Sequence, residues 1–415
     1  MGCGAVSGQA PKTVSLAEAQ AIALRNHPRI ASAAFSAQAG AAAVKEVRSA
    51  YFPTVSGNVT GVGTEHDDTL MAGALTTSSL YNRAASGLVG SQLLTDFGRT
   101  SSLEQSAKLR NAAQNQNVNN TRAQVVLEVR SEYYQALAAE SILKVAKATV
   151  DLRRLTLHQV NALAQSALRS TLDVSFAEVN VSEAELALSR ADNDARASHA
   201  RLSAALGYER DEDFLLADEP LPSELSPNVD PLITQALGHR PDLAVLRLNR
   251  DSLQRFAVSE KRLRNPTINV AGVAGAAPVR DEPLRETYTA IGVNINIPIL
   301  NGGLFSARHA EAEAHAAAAD KDVQDLSVLI ARDVQVAWLD SKNAFQRLDV
   351  AARLVTQANE ALRLAQARYD SGLGSIVELS QAQLNQTSAQ ITAASAKYEY
   401  LNKRAALDYE VGALQ

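Results

Sequence analysis

The sequence predicts a mainly α-helical protein in which long antiparallel coiled-coil hairpins accompany a small β part. Residues 99–206 and 304–371 contain neither glycine nor proline. Because glycine costs about 1 kcal/mol and proline about 3 kcal/mol inside a helix, these stretches can form helices far longer than the usual ~11–12 residues. Before the first stretch lies a segment rich in Gly, Ser, Thr and Asn without a helical period, and before the second lies a segment of alternating apolar and polar residues, which is typical of strands.

Composition narrows the classes of function. The chain has 415 residues, a net charge of −5 and only 5% aromatic residues. A nucleic-acid-binding protein would show a basic patch or stripe, so nucleic acid is not expected as a partner. The sequence has no run of about 18 apolar residues, and no transmembrane helix is expected.

The first half of the chain contains clear helix and turn signals. Ser15 and Glu18 form a capping box, which predicts a short helix ending near Pro28. The pattern breaks at residues 166–171, where a reversal is expected. The remaining predicted elements are a helix over 29–50, two strands within 54–94 with a loop around 65–79, a long helix over 98–165 and a shorter helix over 171–206.

The second half repeats this order. Equivalent residues are 213 positions apart before the strands and 205 apart after them: Pro28 and Pro241, Pro53 and Pro266, Gly98 and Gly303, Ser170 and Ser375, Gly207 and Gly412. A constant separation over so long a stretch indicates tandem duplication. The predicted organisation is a first repeat over 14–207, a connecting segment over 208–231 and a second repeat over 232–412.

The predicted strands have one apolar and one polar face. Ile291, Val293 and Ile295 alternate with Asn294 and Asn296. This pattern fits a soluble sheet with one face on a core, and it also fits a barrel strand between lipid and water. Four strands per chain are too few to close a membrane barrel, whose minimum is about eight. If the strands span a membrane, two chains would supply eight strands and three would supply twelve.

The long helices show coiled-coil spacing. Apolar residues step by three and four along the first of them, at Ala136, Ala139, Leu143, Ala146 and Val150. This is the spacing of knobs-into-holes packing. At 1.5 Å per residue each long helix would extend about 100 Å.

Residues 14–412 resemble the TolC-like outer-membrane efflux proteins, or outer-membrane factors. The resemblance is carried by five short segments in the expected order: 26–28 (NHP), 240–243 (RPDL), 95–99 (TDFGR), 301–303 (NGG) and 367–375 (ARYDSGLGS). It implies a homotrimer in which twelve transmembrane strands form an outer-membrane β-barrel and twelve helices form a periplasmic tunnel.

The same resemblance implies a function and partners. The chain would be a passive conduit in the outer membrane of a Gram-negative bacterium, without enzymatic activity or a cofactor. It would work in tripartite efflux or type I secretion, with a periplasmic adaptor, or membrane fusion protein, and an inner-membrane pump of the RND, ABC or MFS type. The barrel would contact outer-membrane lipid.

The two reversals would be the periplasmic tips. The resemblance implies adaptor contacts at Ala167, Leu168 and Ser170 in the first turn and at Gly372, Leu373, Gly374 and Ser375 in the second. Leu168 and Leu373 would be exposed apolar anchors, or alternatively would cap the end of the coiled coil.

Residues beside the tips would form a periplasmic gate. Asp173 and Glu378 match acidic positions of the family, and three copies would make a negative ring that favours cations. The alternative is that each acid only stabilises a helix N-terminus. Tyr369 would hydrogen-bond to the neighbouring coil. Gly374 lacks the basic side chain of family gates, and Arg169 is the candidate replacement.

Other features leave alternatives open. Cys3, the only cysteine, is either incidental or the lipidated first residue of a mature lipoprotein, although 1–4 shows no signal-peptide features.

A soluble coiled-coil scaffold or adaptor would explain the helices but not the repeated strands. His309 and His315 are six residues apart, off a shared helical face, so no zinc site is expected.

Overall fold

The computed structural model describes residues 12–63, 69–72, 76–79, 82–210, 212, 214–222, 225, 227–282 and 284–414. Cys3 lies outside the described residues, and its lipidation stays a prediction. The chain divides into two compact units. One contains residues up to 34, 117–243 and those from 326 onward; the other contains 35–116 and 244–325.

The predicted helices are confirmed, with boundaries within one or two residues. They are α1 (Leu16–Asn26), α2 (Pro28–Ser49), α3 (Arg99–Gln165), α4 (Thr171–Ala205), α5 (Asp230–His239), α6 (Pro241–Lys261), α7 (Leu304–Asp370) and α8 (Ile376–Glu410). The capping box forms as expected, since the Ser15 side chain accepts from the Glu18 backbone and Glu18 bonds back to the Ser15 N–H. The two long helices, α3 and α7, each contain 67 residues.

The predicted strands pair into one antiparallel sheet in the order β2–β5–β7–β8. These strands are β2 (Thr54–Val62), β5 (Arg83–Thr95), β7 (Thr267–Arg280) and β8 (Thr287–Asn296). The expected loop around 65–79 was partly wrong. It contains a short hairpin of β3 (Thr69–Ala72) and β4 (Thr76–Ser79), because its Thr- and Ser-containing segments can pair across a short connection.

A separate pair of short parallel strands was not predicted. Lys12–Val14 (β1) lies beside Phe214–Leu216 (β6). The fully buried Tyr133 on α3 contacts both strand regions, since its hydroxyl lies 2.9 Å from the Val14 carbonyl and 2.6 Å from the Ala217 carbonyl and shares its single proton between them. One side chain of the long helix therefore satisfies carbonyls from both strand regions, which would be costly to bury unpaired.

At the RPDL segment, where α6 begins, lies a partly buried ion network. The Arg240 guanidinium pairs with Asp242 at 2.6 Å and also with Glu410 near the end of α8. Burial raises the pKa of Glu410, and the charge on Arg240 acts in the opposite direction. A partly buried arginine with two carboxylate partners joins the start of α6 to the end of α8 within one unit.

Left-handed backbone conformations follow the internal repeat. Among the described residues, each residue with positive φ has an equivalent 205 positions away that also has positive φ: Phe97 and Gly302, Gly98 and Gly303, Ala167 and Gly372, Gly207 and Gly412. These residues lie where a long helix begins, where it reverses and where a short helix ends. Phe97 and Ala167 adopt a conformation that L side chains normally avoid.

This pairing predicts different effects of matched substitutions at the two equivalent turns. Gly372→Ala should lower the free energy of unfolding by about 1–2 kcal/mol, the cost of a left-handed non-glycine residue. A Cβ there meets no atom within 4 Å, so the backbone alone is responsible. The matched Ala167→Gly should cause no loss. Guanidinium unfolding in detergent, followed by circular dichroism, measures both; equal losses would contradict this account.

Candidate functional site at the helix-hairpin tips

Each helical hairpin reverses through the same capped turn. The first turn lies between α3 and α4, where the Ser170 hydroxyl accepts from the Asp173 N–H at 3.3 Å. In the second, between α7 and α8, Ser375 accepts from the Glu378 N–H at 3.1 Å. Serine is among the preferred N-cap residues because its side chain satisfies a helix N–H group that has no partner in the helix.

The ends of the long helices are closed in the same way. The Leu168 N–H donates to the Leu163 carbonyl, and the Leu373 N–H donates to the Arg368 carbonyl, both at 2.9 Å. Bonds that span five residues, together with a left-handed residue just before them, are the features of the Schellman motif. Ala167 and Gly372 supply the left-handed residue.

Each turn leaves its leucine side chain exposed to solvent. Leu168 is 69% exposed and Leu373 is 75% exposed in this chain. Neither side chain is buried against its own hairpin, so each turn presents an apolar side chain. Their roles as adaptor anchors stay a prediction.

The structure brings together Arg169 and Tyr369. The Arg169 side chain donates from Nη2 to the Tyr369 carbonyl at 2.5 Å, and its guanidinium carbon lies 4.2 Å from the centre of the Tyr369 ring. This contact joins the first turn to the last helical turn of α7. A hydrogen bond from a charged donor and a cation–π contact act on the same residue.

Tyr369 is buried in a small apolar cluster at the tip, with Val160, Ala177, Ile376 and Leu379. Its hydroxyl is buried and has no hydrogen-bond partner among the described residues. Burial raises the pKa of this hydroxyl, while Arg169 lowers it and Asp173 raises it. The tyrosine therefore contacts the neighbouring hairpin of its own chain through its ring and carbonyl.

The two predicted gate acids have different surroundings. Glu378 pairs with Arg368 of the same chain at 3.0 Å, and both side chains are about half exposed. Asp173 is partly buried and has no ion-pair partner among the described residues. An exposed ion pair contributes only about 0–1 kcal/mol to the stability of the folded protein. The main effect of Arg368 is therefore to offset the charge of Glu378. Asp173 is thus the less compensated acid.

Sequence reasoning missed a buried polar contact further along the coil. Arg153 on α3 is 6% exposed and donates to Gln383 on α8, whose amide donates to Thr156 at 3.0 Å. Burial lowers the pKa of Arg153. A signal was present, because the apolar spacing through Val150 and Leu157 places Arg153 at a core position.

The remaining candidates are the two histidines on α7, metal sites and membrane-spanning helices. His309 lies 3.4 Å from Glu313, and His315 lies 3.9 Å from Glu311, so the two histidines have separate acidic neighbours. No group of three or more His, Cys, Asp or Glu in the described part of the chain is arranged to hold a metal ion. None of the described helices has the length and hydropathy needed to cross a membrane.

Comparisons with known proteins identify the family. The model of the outer membrane efflux protein family matches residues 21–208 and 232–413. The solvent efflux pump outer membrane protein SrpC of Pseudomonas putida is 25% identical, over 97% of this chain and 85% of its own length. The outer membrane protein TolC of Vibrio cholerae is 22% identical, over 96% and 91%.

The fold agrees with this result. The solved outer-membrane channel OprN superimposes with a TM-score of 0.83 at 20% identity, covering 96% of this chain and 89% of that one. The chain therefore belongs to the outer membrane efflux protein family, and it is an outer-membrane channel-tunnel for efflux.

Proposed function

We propose that this chain works as a homotrimer whose sheets combine into one outer-membrane barrel. The observation that supports this is the four-stranded sheet with free edges. Among the described residues, β2 pairs only with β5 and β8 only with β7. Open sheet edges cannot lie in lipid, and the smallest outer-membrane barrels have about eight strands. Three chains supply twelve.

The side chains support lipid contact on one face. Val59 on β2 is 89% exposed and Ile291 on β8 is 83% exposed, although both are apolar. Asn294 and Asn296 alternate with the isoleucines and lie on the other face. A soluble sheet would bury its apolar face, so exposure of these residues favours lipid over the soluble scaffold. Repeats 14–207 and 232–412, joined by 208–231, each supply two strands and one helical hairpin.

The tips serve as the docking site for a periplasmic adaptor, which links this passive conduit to an inner-membrane pump. In this proposal the chain belongs to a tripartite efflux or type I secretion system and performs no catalysis. The exposed Leu168 and Leu373 support docking, since apolar side chains that remain in water at a turn are suited to burial by a partner.

Adaptor docking can be tested at the leucines. Leu168→Asp combined with Leu373→Asp should reduce copurification with the adaptor at least ~10-fold, because each charge would have to be desolvated in an apolar contact. The matched control is Leu186→Asp, at a leucine 63% exposed on α4. Recovery from chemically crosslinked envelopes is the measurement. Equal recovery of adaptor with the tip variant and the control would contradict docking at the turns.

We also propose that Arg169 and Tyr369 hold the tip closed as a latch between the two hairpins of one chain. The latch consists of the hydrogen bond to the Tyr369 carbonyl and the stacking on its ring. Adaptor binding would favour an open tip by contacting it more strongly than the closed one, which is a shift between two populations.

Arg169→Met should raise basal conductance in planar bilayers. A charged hydrogen bond contributes about 1.5–3 kcal/mol, so its loss should increase the open fraction roughly 10–100-fold while that fraction is small. Arg154→Met is the matched control, since Arg154 pairs with Glu185 on the exposed side of the hairpin. If Arg169→Met conducts like the wild type, Arg169 is no part of the closure.

Asp173 and Glu378 form the proposed acidic ring. Replacing both by alanine should reduce the preference for cations over anions, measured from the reversal potential in a salt gradient. Asp173→Ala alone should account for most of the change, because Glu378 is already paired with Arg368. Unchanged selectivity in both variants would reduce the two acids to helix-capping charges.

A further inference from the structure

One row of directly opposed residues crosses all four strands of the sheet. Asn58 on β2 lies opposite Gly87 on β5. Gly87 in turn lies opposite Gly275 on β7, and Gly275 lies opposite Tyr288 on β8. Directly opposed residues of antiparallel strands point to the same face of the sheet. The row therefore places one amide, two glycines and one aromatic ring on a single face.

This row belongs to the polar face of the sheet. Side chains along a strand alternate between the two faces. Tyr288 is six residues before Asn294 and shares its face, whereas Ile291 is three residues away and lies on the other face. In the barrel proposed above, the polar face lines a water-filled passage. Tyr288 is the only aromatic residue in β2, β5, β7 and β8.

The Tyr288 side chain lies along the sheet, over both glycines. A Cβ atom added to Gly275 would be 2.4 Å from the Tyr288 Oη and 2.5 Å from its Cζ. A Cβ atom added to Gly87 would be 2.6 Å from the same Oη. The far end of the tyrosine therefore extends across β7 and reaches β5. It occupies the space that a side chain at either glycine position would fill.

This orientation of the ring differs from the usual one. Side chains of a strand stand roughly perpendicular to the sheet, so a tyrosine on the inner face of a barrel would ordinarily extend toward the centre of the passage. Glycine inside a strand weakens the strand, because it has no side chain to pack and loses more conformational freedom on folding than other residues. Two opposed glycines are unfavourable for the sheet itself, but they leave room for the ring to lie flat.

We propose that Gly87 and Gly275 hold the Tyr288 ring flat against the wall and thereby keep the outer part of the passage wide. This inference rests on the proposed barrel and names the residues that set its width at this level. The two glycines are positioning residues, since they act through the ring. In a trimer, three such rings would lie at the same level of the passage.

The glycines also allow a close approach of the two strands. A Cβ atom at Gly275 would be 2.5 Å from the Ser86 carbonyl oxygen, and a Cβ atom at Gly87 would be 2.8 Å from the Ala274 carbonyl oxygen. A substitution at either glycine therefore affects both the backbone and the ring. Only the effect on the ring depends on the Tyr288 side chain, so a double variant separates the two effects.

The width of the passage can be measured by the entry of a bulky thiol reagent from outside the cell. Asn294→Cys provides the target, because Asn294 lies on the same face six residues nearer to α7, which is about 20 Å deeper at ~3.4 Å per residue. A maleimide on a polyethylene glycol chain, applied to intact cells, must pass the Tyr288 ring to reach it. N-ethylmaleimide measures the reactivity of the cysteine itself, and the protein without the added cysteine controls for Cys3.

Gly275→Ala in the Asn294→Cys protein should slow labelling by the bulky reagent at least ~3-fold relative to labelling by N-ethylmaleimide, because the ring would turn into the passage. Adding Tyr288→Ala should restore the rate. Tyr288→Ala alone should change the rate less than ~2-fold, since a flat ring does not obstruct the passage. Gly292→Ala is the matched control, because a Cβ atom on that glycine of the same face meets no atom within 4 Å.

Three results would overturn the proposal. The first is equal slowing by Gly275→Ala with and without the Tyr288 ring, which would mean that the glycine acts on the strands alone. The second is an unchanged rate in Gly275→Ala. The third is labelling several-fold faster in Tyr288→Ala alone, which would mean that the ring already projects into the passage. This last comparison needs no glycine substitution, so it decides the matter even if Gly275→Ala fails to assemble.

Ile295→Cys tests the proposed barrel separately. Ile295 is adjacent to Asn294 and lies on the apolar face, so its cysteine should be protected from the bulky reagent. If Ile295→Cys is labelled and Asn294→Cys is not, the two faces are reversed and the proposed barrel fails. If the faces are as proposed but the rates do not depend on Tyr288 as described, the barrel stands and the role of the glycines is wrong. Failure of every chain length to label Asn294→Cys would contradict a wide passage.

Discussion

The organisation of this protein depends on the unpaired backbone at the two edges of its sheet. A strand inside a sheet has its N–H and C=O groups paired on both sides, whereas β2 and β8 each have one partner among the described residues. In lipid an unpaired backbone group costs several kcal/mol, so apolar side chains alone do not make this sheet suitable for a membrane. If the sheet lies in lipid, as proposed, another strand must cover each edge, and a second copy of the chain would supply it.

Duplication relates the two edge strands of the sheet to the strands that pair inside it. Strands β2 and β8, at the two edges, are the repeat equivalents of β7 and β5, which pair with each other inside the sheet. The tips are an exception. Arg169 and Tyr369 are equivalent to Gly374 and Ala164, which have neither a guanidinium nor a ring. The proposed latch therefore has no equivalent at the repeat-related position.

The sequence predicted the long helices closely because their limits depend on local chemistry. Glycine immediately precedes each long helix, and serine caps each returning one, so boundaries were correct to within one or two residues. Strands β1 and β6 escaped notice because three residues are too few to show alternation. Their pairing depends on Tyr133, which is distant in sequence from both.

The candidate site was predictable in position but less so in its contacts. The turns followed from the break in helical pattern, and Asp173 and Glu378 followed from the family resemblance and their equivalent places after the tips. The ion pair of Glu378 with Arg368 could not be read from spacing, since ten residues and a reversal separate the two. The left-handed Ala167 has no signal of its own, although its repeat equivalent, Gly372, provides one.

The most direct test of the central claim is the native mass of the detergent-extracted protein. One chain has a mass of 44.2 kDa. If neighbouring copies complete the sheet, native mass spectrometry should show three chains in one particle, with any lipid modification added to each. A stable, folded single chain that carries ions across a planar bilayer would contradict the account, because its two strand edges would then need no partner.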